Sequence, residues 1–258
     1  MRPLIAGNWK MHGLSAQLEQ IKAVPASVKA QPPHADVLIC VPPTLIERAF
    51  RASFGALAIG GEDCSAETAG ALTGDVDADM LKDAGATAVI LGHSERRRFH
   101  HETDAQVAAK VQAAWAAGLS TIVCIGETQA QRSAGKALAV CGAQLAASLP
   151  NLQAGCETSV AYEPLWAIGS GHMPTADDIA EIHMHIRSCL VARFGEAGRT
   201  VRILYGGSVK SSNAQDILAV PEVGGVLIGG ASLEATDFDA VLGVVRNLVT
   251  PASARAAE

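Results

Sequence analysis

An α/β fold, a single closed eight-stranded parallel (β/α)8 barrel over residues 1–258, is the architecture that this sequence predicts, on three observations. Short apolar runs recur along the chain; helix-like segments rich in Ala, Leu, Gln and Lys separate them; and the runs do not alternate apolar with polar residues. Strand alternating with helix implies βαβ units and a parallel sheet, and strands apolar on both faces are buried on both faces, as parallel strands are. Eight such units in this length take roughly 32 residues each, close to one βαβ element. A doubly wound open sheet is the rival. No G-x-G-x-x-G follows the first run, and no Pro-, Gly- or Ser-rich linker divides the chain, so the closed barrel is preferred.

The expected strands, in order, are Leu4–Ala6, Val37–Val41, Leu57–Ile59, Ala88–Leu91, Thr121–Ile125, Val160–Tyr162, Val201–Tyr205 and Gly225–Ile228, each bounded by turn residues. Asp104–Ala117 and Ala176–Arg193 carry clear helical character between them. The connection Glu62–Asp79 is long for one without a role. The tail Pro251–Glu258 is small and polar and is expected to fray.

Composition narrows the function. With 49% hydrophobic residues and a net charge of −6, the chain is too apolar and too weakly charged to be disordered. Its 26 acidic against 20 basic residues give no general attraction for nucleic acid or an anionic membrane, so an anionic substrate must be gathered by local charge. Cysteines at 40, 64, 124, 141, 156 and 189 include no C-x-x-C pair, which fits neither zinc nor a disulfide framework; they read as reduced thiols of a cytoplasmic protein. Cys124, inside the fifth strand, reads as a small core residue. The amino terminus lacks the apolar core of a signal peptide, and no window approaches the ~20 apolar residues of a membrane span.

In such a barrel chemistry belongs at the carboxyl ends of the strands. Those ends offer Asn8 and Lys10, then His93-Ser94-Glu95-Arg96-Arg97, Gly126-Glu127, Glu163-Pro164, Gly206-Gly207-Ser208 and Gly229-Gly230. The last two come from strands seven and eight, where barrels commonly hold a phosphate on backbone N–H groups; two ordinary tight turns are the plain alternative. Glu163 is followed by Pro164, Leu165, Trp166, Ala167, Ile168, Gly169, Ser170 and Gly171, an apolar stretch between Pro and Gly-x-Gly that reads as a lid with two hinges. Closing it would expel water and raise the basicity of Glu163. A surface loop beside a salt-bridged Glu is the alternative. If Ser94 begins a helix, its positive end lowers the imidazole pKa of His93 and favours the neutral form, which donates a hydrogen bond without carrying charge. Lys10 is placed to meet phosphate and carbonyl oxygens, or else is a solvated lysine or a partner for Glu95, and Asn8 is placed to orient its neighbours. His183 and His185 are two apart on a helix and face different ways, so no metal site is expected. The set suits proton abstraction beside a carbonyl in a small phosphorylated sugar, with an enediolate stabilised by His93 and Lys10 and with no cofactor.

These residues closely resemble the triosephosphate isomerase family: Ala6-Gly7-Asn8-Trp9-Lys10-Met11, Leu91-Gly92-His93-Ser94-Glu95-Arg96-Arg97, Ala161-Tyr162-Glu163-Pro164, Trp166-Ala167-Ile168-Gly169, Tyr205-Gly206-Gly207-Ser208-Val209 and Gly229-Gly230-Ala231-Ser232-Leu233, in order along the chain. The resemblance implies the TIM barrel and interconversion of dihydroxyacetone phosphate and glyceraldehyde 3-phosphate without a cofactor. It implies Glu163 as base, His93 as electrophile, Lys10 and Asn8 as substrate binders, and Gly169, Ser208, Gly229 and Gly230 on the phosphate, with Glu95 behind Lys10. That a Glu base works with a neutral His under a closing loop is the family's standard description. The loop holding Gly70-Ala71-Leu72-Thr73-Gly74 is implied to reach a neighbouring subunit, making a homodimer with Thr73 near the partner's site; a surface loop is the alternative.

The sequence departs from the familiar pattern at four places. Ser170 and His172 replace the lid's usual Thr and Lys, with small expected effect. Pro174 stands where the family's tyrosine, here Tyr205, latches the closed lid through a backbone N–H. Proline has none, so Ser208 is the alternative holder. Glu62 stands in place of Gln and adds a charge near the implied interface. Three competing functions share these residues: a lyase with a Schiff base on Lys10, a non-catalytic sugar-phosphate sensor, and an isomerase of a four-carbon keto-phosphate.

Overall fold

The computed structural model describes residues 1–168 and 172–246. The expected frayed tail, 251–258, and three lid positions, Gly169, Ser170 and Gly171, lie outside the described residues. Eight parallel strands close on themselves in sequence order: β1 (Leu4–Asn8), β2 (Asp36–Cys40), β3 (Ala58–Gly61), β4 (Ala88–Leu91), β5 (Ser120–Ile125), β6 (Thr158–Tyr162), β7 (Arg202–Tyr205) and β8 (Gly225–Ile228). The expected strands match these within a residue or two at each end. The helices between them are α1 (Leu18–Ala30), α2 (Ile46–Ala52), α3 (Ala78–Asp83), α4 (Ser94–Phe99), α5 (Asp104–Ala116) and α6 (Gln129–Ser133). The second half adds α7 (Ala137–Ser148), α8 (Ala176–Phe194), α9 (Glu196–Thr200), α10 (Ala214–Leu218) and α11 (Ala235–Arg246).

The absence of alternation in the strands has a direct physical cause. Successive side chains point to opposite faces, and each face meets a core of its own. Leu4, Ala6, Leu38, Cys40, Ala88, Ile90, Ile122, Cys124, Ala161, Leu204 and Leu227 fill the barrel. Their neighbours Ile5, Ile39, Val89, Leu91, Val123, Val160 and Ile203 pack outward under the helices. Full burial of one such aliphatic side chain contributes about 1.5–3 kcal/mol, so a polar residue on either face would cost about as much.

Two contacts bring the ends of the chain together and hold the rim. β1 pairs with β8 over Leu4–Gly7. The Trp9 indole Nε1–H donates to the carbonyl of Ser232 at 2.9 Å. Thr103 and Gln106 form a capping box that starts α5, and Thr175 and Asp178 form one that starts α8. The second of these fixes the far end of the lid segment.

Candidate active site

Lys10 leaves β1 with φ 57°, in the left-handed region that a side-chain-bearing residue rarely adopts. Such backbone persists where its surroundings over-determine it, and it clusters at functional sites. Here the Asn8 side-chain oxygen accepts the Lys10 backbone N–H at 3.1 Å, and the ammonium donates to Glu95 Oε1 at 2.6 Å. Asn8 is buried and Lys10 half-buried.

His93 caps α4 just beyond β4. Its Nδ1 accepts the backbone N–H of Glu95 at 3.2 Å, which places the ring proton on Nε2, 2.9 Å from Glu163 Oε1. Ser94 completes the hold on that carboxylate: its N–H donates to Oε2 at 2.9 Å and its hydroxyl to Oε1 at 3.1 Å. Burial by itself raises the Glu163 carboxyl, but His93 and the two Ser94 donors outweigh it and hold the group below its ordinary value. Burial by itself lowers the His93 imidazole, but Glu163 and Glu95 outweigh it and hold the ring above its ordinary value. This reverses the lowering expected from the helix end alone, because the sequence does not reveal that Glu163 lies against the ring. The rise belongs to this pairing. If Glu163 moves away, its contribution goes with it, and burial and the helix end then favour the neutral ring.

The glycines after β7 and β8 lie on the same rim. A cavity of about 680 Å³ is lined by Asn8, Lys10, His93, Glu163, Ile168, the segment Gly206–Ser212, Gly229 and Gly230. The Gly-Gly pair after β7 also has a steric reason. A Cβ on Gly207 would lie 2.2 Å from the Tyr205 phenol oxygen, and one on Gly206 would lie 3.0 Å from Glu163 Cγ. A larger hollow of about 790 Å³ opens at the opposite mouth of the barrel. Among its polar lining residues, the Thr121 and Thr158 hydroxyls lie 3.1 Å apart and Arg202 lies 2.5 Å from Asp36, whereas the carboxyl-end cavity brings together Lys10, His93 and Glu163.

The described part of the expected lid, Pro164–Ile168, is tied down by a carboxylate that sequence reasoning noted only as a strand-end residue. Glu127, fully buried at the end of β5, accepts from the Trp166 indole at 2.8 Å and the Tyr162 hydroxyl at 3.0 Å, and pairs with Arg132 at 3.2 Å. Arg132 also stacks on the Trp166 ring at 4.9 Å and pairs with Asp178 of the α8 cap. Ser94 was likewise visible only as part of a motif. Its signal was a hydroxyl residue at a helix start beside a histidine; that of Glu127 was a carboxylate at an apolar strand end.

The buried Tyr205 hydroxyl has no hydrogen-bond partner among the described residues, and Pro174 offers it no N–H. Cys124 sits in the barrel core, where burial and nearby Glu163 push its thiol well above its ordinary value. Thr73 and Gly74 lie in the exposed stretch 67–75, away from this rim's other residues in sequence and pointing to solvent. Glu62 is half-buried with one carboxylate oxygen unpartnered. Among the described residues, no group of three or more His, Cys, Asp or Glu side chains gathers as a metal site would.

Comparison with known proteins follows the same residues. The family model described as triosephosphate isomerase matches residues 3–245. A triosephosphate isomerase of Rhodopseudomonas palustris (strain BisA53) is 56% identical over 245 residues, 93% of this chain and 96% of that protein. One of Caulobacter vibrioides is 57% identical over 242 residues, again 93% and 96% of the two chains. The crystal structure of triosephosphate isomerase from Bartonella henselae superposes with a TM-score of 0.88 at 46% identity, covering 96% of this chain and all of that one.

Proposed function

The chain belongs to the triosephosphate isomerase family and is an isomerase, and from that premise we propose that it interconverts dihydroxyacetone phosphate and D-glyceraldehyde 3-phosphate through an enediolate. The observation that carries this reading is the convergence of Glu163, His93 and Lys10 on a cavity whose other wall is the backbone of Gly206–Ser208 and Gly229–Gly230. The phosphate of the sugar lies on that wall, held by N–H groups and the Ser208 hydroxyl. Glu163 leaves Ser94 and His93, takes the proton from the carbon beside the carbonyl, and returns it to the neighbouring carbon. In between, the oxygen that becomes anionic accepts from His93 Nε2–H and from the Lys10 ammonium, donors held by Glu95; His93 gives its Nε2 proton to that oxygen and takes the proton of the neighbouring hydroxyl, so that carbonyl and hydroxyl change places and the ring ends as it began. Glu95 keeps Lys10 over the cavity, and Gly169 supplies a further phosphate contact from the lid. The reaction needs no cofactor, since the proton is taken and given back by one carboxylate.

A homodimer, with Thr73 entering the partner's site, is part of the same proposal; the family resemblance of the loop and the exposure of residues 67–75 support it. A cytoplasmic location is favoured by six unpaired thiols. No helix among the described residues is long and apolar enough to cross a membrane.

Turnover of glyceraldehyde 3-phosphate, coupled to reduction of the ketone formed, tests the central claim beside a tetrulose phosphate. A kcat/KM toward the triose near the ~10⁸ M⁻¹s⁻¹ ceiling is the expected result; fast tetrulose and slow triose turnover would move the substrate. Glu163→Ala should lower kcat by at least the ~10²–10⁴ of a lost general base while inorganic phosphate still binds. Activity within a few-fold of wild type would remove Glu163 from the role of base. A borohydride-stable adduct at Lys10 would favour the lyase instead.

A further inference from the structure

We propose that Asn213 is a positioning residue for the phosphate end of the cavity, and that it decides which backbone N–H groups the loop after β7 can offer to an anion. Asn213 occupies the N-cap position of α10, where asparagine ordinarily turns its side-chain oxygen onto the first-turn N–H groups of its own helix. Here the side chain makes no such bond. It points backward instead. Its oxygen accepts the Lys210 N–H at 2.8 Å, and its amide donates to the Ser208 carbonyl at 3.1 Å. The amide also lies 3.9 Å from the Met173 sulfur, on the far limb of the lid segment.

Three consequences follow from the planarity of the peptide unit. Anchoring the Ser208 carbonyl on Asn213 turns the Val209 N–H, across the same trans peptide, to the opposite side. The Lys210 N–H is satisfied internally and is withdrawn from any ligand. Ser208 and Lys210, both lining the cavity, are locked into one turn by a single side chain. A residue that breaks the local capping rule, with its hydrogen bonds spent on a site-lining loop, is where function overrides helix chemistry. The Met173 contact joins this clamp to the lid, so the loop that meets the phosphate and the limb that ends the lid share one anchor.

The proposal rests on the phosphate wall named in the function above, but not on the identity of the sugar. The test compares the full-length wild type with Asn213→Ala and Asn213→Ser. It measures KM and kcat with glyceraldehyde 3-phosphate, the calorimetric Kd for inorganic phosphate, and the thermal midpoint. Loss of two ordinary hydrogen bonds should raise both KM and the phosphate Kd about tenfold in Asn213→Ala. Its kcat should stay within about twofold, the pattern of lost uniform binding. Asn213→Ser, whose hydroxyl can still accept the Lys210 N–H, should recover part of that loss. A phosphate Kd within twofold of wild type in Asn213→Ala overturns the proposal, as does a fall in kcat and thermal midpoint with Kd unmoved. If wild type fails to turn over the triose yet binds phosphate, and Asn213→Ala weakens that binding, the positioning role stands and the proposed reaction falls.

Discussion

At the scale of single residues, the proposed chemistry depends on what holds Glu163 at rest. Its carboxylate is buried, yet it stays below its ordinary pKa because His93 and both donors of Ser94 reach it. Ser94→Ala removes the hydroxyl and leaves the backbone donor. The remaining burial then pulls the carboxyl upward, so the acidic limb of the kcat/KM profile should move to higher pH by about half a unit to one unit. A limb that stays in place would show that the hydroxyl does not tune the base. Glu62 shows the opposite balance. Burial, reinforced by the nearby Glu95 charge, outweighs Lys10 and raises its carboxyl from the ordinary 4.5 to about 8; buried Cys40 is the other titratable neighbour. The folded state therefore keeps a proton that the unfolded chain loses, and stability falls as the pH rises from about 4.5 to about 8. Glu62→Gln should remove that slope. In urea titrations it should match wild type near pH 5 and exceed it near pH 8 by on the order of 2–4 kcal/mol. Parallel curves across the range would mean that Glu62 ionises freely.

At the scale of elements, the proposed lid segment is fastened at both ends by polar side chains, not by apolar contact alone. Its first limb hangs from Glu127 through the Trp166 indole, and its last limb runs into the Thr175–Asp178 capping box of α8. Arg132 bridges the two by pairing with Glu127 and Asp178. Glu127→Ala would take its acceptor from the Tyr162 hydroxyl, one acceptor from the Trp166 indole and the buried member of the Arg132 ion pair, while Arg132 keeps Asp178. Breaking a buried ion pair in this way costs about 3–5 kcal/mol, to be read from the urea midpoint. Glu127→Gln keeps an acceptor oxygen and should recover part of that loss; equal stability of both variants with wild type would show that the lid does not need this anchor.

At the scale of the whole molecule, the stretch 67–75 is exposed throughout, and the homodimer proposed for it is a statement about a second copy. Thr73→Arg places a charge and a long side chain at the tip. Sedimentation velocity should show the wild type as a dimer and the variant shifted toward monomer, with turnover reduced at least tenfold. A variant that remains dimeric and fully active would detach this loop from the interface.

The sequence by itself determined the barrel and the family. Strand order is the order of the apolar runs, and their lack of alternation reports two buried faces, as Ile90 inside and Leu91 outside illustrate. Chain connectivity puts every strand's carboxyl end on one rim, so Asn8, Lys10, His93, Glu163, Ser208 and Gly229 could be read as neighbours before any coordinate was known. What only the tertiary structure decided is which group touches which. The 2.9 Å contact between His93 and Glu163 joins residues from β4 and β6 and reverses the expected shift of the imidazole. The hold of Glu127 on Trp166 spans β5 and the lid, and the backward turn of Asn213 contradicts its local capping preference. Periodicity and motif spacing report which face a residue occupies. Hydrogen bonds and pKa shifts depend on distances of an ångström or so between elements far apart in the chain, and packing sets those distances.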